Sequence, residues 1–240
     1  MSAPAELMFA VTREDPELEI LISEEIRPKS ILMVASGGCL PLQIKYMFPK
    51  ISVSAFDFNP RQIEHCRLKA TKVSDSMLCD LNIDDPSPNG LSQCGTFESM
   101  FRNLRLLFLE LLSSSDEMDS FFSEKTSQHD RESMIDAWIS DPSWSTVFDT
   151  VFCDRSINTM FDESATQHAP PNSMPRYFMD VFERGLRRDS SYKNPWLQSI
   201  FLGKNIMDDS LSYLRSGKVL DVEFINGTLL SVPEISRFKL

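Results

Sequence analysis

Two kinds of apolar pattern divide the chain. Near its start, Ile31-Leu32-Met33-Val34-Ala35 is a continuous apolar run that stops at Gly37-Gly38, and a shorter β-prone run from Ile51 to Phe56 ends on Asp57. Apolar runs of this length, bounded by glycine, read as buried parallel strands. The pattern therefore predicts strands over 30–35 and 51–56. A helix over 39–47 lies between them, started at the glycines and stopped by Pro49. Ahead of the first strand, Thr12 is placed to cap a helix with Leu18, Ile20, Leu21 and Ile22 on its apolar face, and Pro28 ends it. Residues 1–11 read as a partly ordered arm. After the second strand, Asn59-Pro60 starts a helix whose apolar positions, Ile63, Cys66, Leu68 and Ala70, are sparse, so it is predicted to be half exposed.

The second pattern begins after a break rich in Asp, Pro, Asn and Gly at 84–90. Phe97, Met100, Phe101, Leu104, Leu107, Phe108, Leu111 and Leu112 recur at steps of three and four, the period of an amphipathic helix. Helices are predicted to continue around 118–122, 131–139, 147–162, 174–186, 195–202 and 210–214. Then Lys218 to Ile225 alternates apolar and polar residues, a third strand turned by Asn226-Gly227, and a short helix follows near the end. The domain reading is a first α/β part over 1–93, a helical insertion over 94–216, and a return to the sheet over 217–240.

Composition narrows the class. The chain has 240 residues, 42% of them hydrophobic, with a formal net charge of -11. That suits a globular chain and makes a poor surface for nucleic acid or anionic lipid. No apolar run reaches the roughly 18 residues a membrane helix needs, and the N-terminus has no export signal, so a cytoplasmic location is expected. Peripheral membrane contact stays open. The cysteines, Cys39, Cys66, Cys79, Cys94 and Cys153, are scattered without a C-x-x-C pair, which favours reduced thiols over disulfides or zinc. Three distant histidines give no metal spacing.

The candidate chemistry sits where the first pattern is interrupted. Gly37 and Asp57 are 20 positions apart, the spacing of a strand-turn-helix-strand unit whose glycine turn faces a nucleotide and whose acid takes the ribose hydroxyls. The full G-x-G-x-x-G pattern is absent. An ordinary βαβ turn with a surface Asp explains the same spacing, and so does an Asp57 that caps the helix beginning at Pro60.

Several segments in order carry a resemblance. Arg13-Glu14-Asp15-Pro16, Ala35-Ser36-Gly37-Gly38-Cys39 and Asp57-Phe58-Asn59-Pro60-Arg61-Gln62 are followed by Gly95-Thr96-Phe97-Glu98-Ser99-Met100-Phe101-Arg102. Further on come Ala165-Thr166-Gln167-His168-Ala169-Pro170-Pro171, Phe182-Glu183-Arg184-Gly185-Leu186 and Asn194-Pro195-Trp196-Leu197. The series resembles the diacylglycerol 3-amino-3-carboxypropyltransferases, the BtaA-like enzymes of betaine-lipid synthesis and their uncharacterised relatives. The resemblance implies an α/β, class I methyltransferase-like (Rossmann-like) fold with a partial parallel sheet and a large helical insertion, binding S-adenosylmethionine. It implies that Ser36, Gly37, Gly38 and Cys39 form the cofactor's glycine turn, that Asp57 and Asn59 form the acidic end of the second strand, and that Glu14 and Asp15 form an entry motif. In the family more strands follow the late one, whereas this chain ends at Leu240. The expectation is a half sheet, with the first strand at an unpaired edge that invites association.

Three functions fit these residues: an aminocarboxypropyltransferase acting on a lipid or other acceptor, a small-molecule methyltransferase, and a non-catalytic relative that binds a nucleoside or a partner. For a hydroxyl acceptor, His168 is the candidate base, its alternative being a loop histidine bonded to backbone. His65 and His129 read as structural or solvated. Arg176, Tyr177, Glu183 and Arg184 read as a site face or as an interhelical ion-pair network, and the Phe97–Leu112 stripe as core or as a wall for an acyl chain.

Overall fold

The computed structural model describes residues 6–161 and 167–231. The chain divides into two compact units. The first joins Met1–Thr96 to Ser210–Leu240, and the second is Phe97–Asp209.

The first unit is built on a parallel sheet of strands β1 (Ser30–Val34), β2 (Ser52–Asp57) and β3 (Val222–Asn226), in the order β1-β2-β3. Ser30 lies opposite Ser52, and Val53 opposite Val222, so the late alternating run is a strand and β3 takes the outer side of β2, which leaves β1 at an edge as the resemblance implies. The strand starts later than the apolar alternation does. The Val222 amide turns back onto the Leu220 carbonyl (3.0 Å), and the ladder begins only after that. Asn226-Gly227 makes no hairpin. The Gly227 amide and the Asn226 side chain both donate to the Asp57 carbonyl and lengthen the β2–β3 seam. Within the seam, the buried Ser54 hydroxyl donates to the Glu223 carboxylate at 2.8 Å.

Helix α1 (Glu17–Ile26) precedes β1, α2 (Cys39–Met47) joins β1 to β2, and α3 (Pro60–Ser74) follows β2. Cys39 and Leu42 of α2 meet Ile63, Cys66 and Val73 of α3, Ala55 and Phe224 of the sheet, and Tyr213 in one buried cluster. Thr12 does not cap α1. The helix starts four residues later than that reading needs, behind Pro16, and the Asp15 carboxylate accepts the Glu17 amide (3.0 Å). The expected inward face of α1 is mostly turned out. Ile20 packs against Ile44, Ile51 and Val53, whereas Leu18, Leu21, Ile22 and Ile26 are 63, 54, 45 and 68% exposed. Strand β1 lies at the sheet edge, and its last residue, Val34, is 58% exposed.

The second unit is helical and contains no β-strand among its described residues. Its helices are α4 (Thr96–Leu111, whose first residue belongs to the first unit), α5 (Ser115–Phe121), α6 (Gln128–Ser140), α7 (Ser143–Val151), α8 (Asp154–Met160), α9 (Ser173–Leu186) and α10 (Pro195–Phe201). The single helix expected over 147–162 is two, because Cys153 takes an extended ψ of 154° between them. The segment near 210–214 is a 3-10 turn, Ser212–Arg215. The short helix expected near the C-terminus lies largely beyond Ser231, outside the described residues. The α4 stripe is core: Met100, Phe101, Leu104 and Phe108 are buried, with Phe108 edge-on to Trp138, Trp144 and Phe201. No acyl-chain wall is left on those residues. Arg105, off that stripe, is partly buried and donates to the Ser199 and Ile200 carbonyls, closing the end of α10 beneath Gly203.

Candidate functional site

The strand β1 ladder runs one residue past Val34, with the Ala35 amide donating to the Phe56 carbonyl (2.8 Å), and then breaks. Ser36 and Gly38 both hold positive φ, 46° and 80°, a sharp turn that the glycine accommodates without strain. Gly38 is the N-cap of α2, and its amide is used by the Ala35 carbonyl. Because Pro41 has no N–H, the first turn of α2 directs only the Cys39 and Leu40 amides outward without an intrahelical acceptor.

Asp57 stands across this turn at the end of β2. Its carboxylate accepts the Asn59 amide (2.9 Å) and the Ser36 backbone N–H, so it fastens the glycine turn to the neighbouring strand. Partial burial raises its pKa above the ordinary value, with the two amides pulling the other way. The group is half exposed and keeps room to accept further donors.

Other predicted residues have structural work. The Asn59 Oδ1 accepts the Arg61 amide as the N-cap of α3, and its Nδ2 donates to the Glu6 carbonyl (2.7 Å). The cap therefore belongs to Asn59, and Asp57 is not needed for it. The Cys39 thiol turns inward, 3.5 Å from Lys69 Nζ, so this residue offers a ligand only its backbone. Glu14 and Asp15 are exposed on the link before α1. His168 lies in the second unit, exposed in a turn ahead of α9, and the described residues show no hydrogen bond to its ring. On α9, Glu183 pairs with Arg187, which also pairs with Asp136 of α6. An interhelical ion-pair network is present, through an arginine not among the four residues considered.

Gly37 requires a correction. The spacing to Asp57 predicts a glycine turn that faces a nucleotide, but an added Cβ on Gly37 would lie 2.4 Å from the backbone of Val11. The space belongs to the chain's own N-terminal arm. The polar face of α3 holds the arm's described residues. Gln62 bonds both the amide and the carbonyl of Phe9, His65 Nε2 bonds the Ala10 carbonyl (2.8 Å), and Lys69 Nζ donates to the Ala10 and Gly37 carbonyls (2.5 and 2.6 Å). The Leu7 carbonyl accepts from both the amide and the hydroxyl of Thr96.

Gln62, His65 and Lys69 are 1, 6 and 0% exposed, so α3 is not half exposed along this stripe. Burial and the nearby Lys69 charge push the His65 pKa down to about 3. The available signal was the sharing of one helical stripe, 62, 65, 66, 69 and 73, between polar residues and the apolar Cys66 and Val73.

A cavity of about 750 Å³ lies elsewhere, lined by Ser23, Arg27, Lys29, Phe48, Lys50 and Ile51 among others, at the opposite ends of β1 and β2. None of the predicted site residues lines it. Among the described residues no His, Cys, Asp and Glu cluster could hold a metal, and no helix is long and apolar enough to cross a membrane. No family model matches the sequence, and no curated protein or solved structure matches it either.

Proposed function

We propose that the first unit binds S-adenosylmethionine at the ends of β1 and β2, and that the protein transfers its 3-amino-3-carboxypropyl group to a lipid or other acceptor. The observation supporting the binding step is the junction of Asp57 with the Ser36–Gly38 turn: a half-exposed carboxylate of raised pKa beside outward amides at a helix start. Asp57 would accept the ribose hydroxyls, and the Cys39 and Leu40 amides would take a carboxylate or other polar group. A sulfonium makes each of its three attached carbons electrophilic, and the carbon held in line with the nucleophile reacts. The choice of the aminocarboxypropyl carbon over the methyl carbon rests on the resemblance alone.

Calorimetry with S-adenosylmethionine tests the binding step. Asp57→Ala is expected to weaken it by about 1.5–3 kcal/mol, the scale of hydrogen bonds to a charged group. Equal affinity of variant and parent removes the assignment. Product analysis separates the chemistries, since methylthioadenosine marks aminocarboxypropyl transfer and S-adenosylhomocysteine marks methyl transfer.

The placement of Val11 against Gly37 favours a second reading, in which the turn serves to dock the arm and no nucleotide binds. A folded parent that gives no heat with S-adenosylmethionine supports that reading.

A further inference from the structure

We propose that Cys39 and Lys69 are a modification site, at which peroxide joins the cysteine sulfur to the lysine nitrogen. Both residues are buried, at 5 and 0% exposure, and Nζ lies 3.5 Å from Sγ. The lysine is held from two further sides by the Ala10 and Gly37 carbonyls, so its nitrogen cannot swing away from the sulfur. No carboxylate lies within ion-pair distance of it among the described residues. The Tyr213 side chain is fully buried beside Cys39 and Cys66. A thiol, an amine and a phenol thus meet between α2, α3 and the Ser212–Arg215 turn.

The chemistry balances with one equivalent of hydrogen peroxide. The Cys39 thiol is oxidised to a sulfenic acid as peroxide is reduced, one oxygen staying on sulfur and the other leaving as water. The Lys69 nitrogen, having given up a proton to solvent, then attacks sulfur. The S–O bond breaks, the N–S bond forms, and the oxygen leaves as a second water. Sulfenic acids condense with nitrogen in this way when the two are held together.

The product has a consequence for the arm. Lysine in a sulfenamide is uncharged and keeps one N–H, so it cannot serve both the Ala10 and Gly37 carbonyls. Oxidation therefore loosens the arm where Val11 covers the glycine turn.

The test treats the folded chain with hydrogen peroxide, alkylates remaining thiols, digests without reductant and maps the peptides by mass. The expected product is the Cys39 peptide joined to the Lys69 peptide and lighter than their sum by two hydrogens, with tryptic cleavage after Lys69 lost. Dithiothreitol should restore both peptides. Exposed Cys79 reports that oxidant was sufficient. Lys69→Arg should abolish the product, and Cys66→Ser should leave its yield within about twofold. Where Lys69→Arg does not fold, Cys39→Ser supplies the same loss. A Cys39–Cys66 disulfide, a link that retains oxygen, a Cys39 that stops at an oxygen acid, or an unmodified Cys39 beside oxidised Cys79 would each overturn the proposal.

Discussion

A buried imidazole whose ring nitrogen binds a carbonyl ties folding to pH at a single position. His65 is neutral in the folded chain, because its pKa there falls to about 3 from an ordinary 6.5. The unfolded chain takes up a proton as pH falls through 6.5 and the folded chain does not, so the contribution to stability is complete above 6.5 and declines below it. Linkage sets the slope at about 1.4 kcal/mol per pH unit between those two values. Urea denaturation of the parent is expected to lose about 2 kcal/mol more than His65→Gln does between pH 6.5 and pH 5. Parallel pH profiles for the two proteins would sink this account. Two glycines make a matched pair at the same scale. Gly37→Ala drives a Cβ into the Val11 backbone and is expected to destabilise by several kcal/mol, with faster amide exchange over residues 9–11. Gly185→Ala, inside α9, meets only the Leu197 methyls at 3.8 and 4.0 Å and is expected to stabilise by about 0.5–1 kcal/mol. Thermal melts of both variants decide the contrast.

Helices and strands differ in how far their patterns reveal their surroundings. The three strands were legible because a continuous apolar run, a second one ending on an acid and a late alternating run each specify a strand, whereas their order β1-β2-β3 was expected from the resemblance and not from the runs. The α4 core stripe was legible for the same reason, since Met100, Phe101, Leu104 and Phe108 recur at helical spacing, whereas the fully buried Glu98 beside them carried no such signal. The arm was not. Gln62, His65 and Lys69 look like solvent-facing residues until a segment 53 to 59 positions earlier in the chain supplies their acceptors. Asp57 was legible as a strand-end acid, whereas the arm's occupation of the space beside Gly37 had no local signature. Helix α1 shows the opposite limit. Its periodicity announces an apolar face but not what covers it, and in this chain nothing described covers Leu18, Leu21, Ile22 and Ile26. With β1 at the edge beside it, that face is expected to drive association. Sedimentation should show mass rising with concentration, and Leu21→Glu should shift the rise to at least several-fold higher concentration. A monomer at all concentrations refutes this expectation.

For the molecule as a whole, the sheet and the helical unit are interleaved in the chain although each has its own core. Strands β1 and β2 are complete by residue 57, but the Ser54–Glu223 bond that locks β3 beside β2 spans 169 positions. A loop of that length adds little to the equilibrium cost of closure, because the cost grows only with the logarithm of length. Its effect is on timing. Synthesis at roughly 5–20 residues per second leaves β2 with one edge open for on the order of ten seconds or more, while the second unit emerges and forms its aromatic core. During that interval the newborn chain presents two apolar strands and the α1 face together, and only the later arrival of residues 222–226 closes the β2 edge. The interval from Phe97 to Asp209 thus also acts as a delay, and premature pairing at the β2 edge is the hazard that this order of synthesis creates.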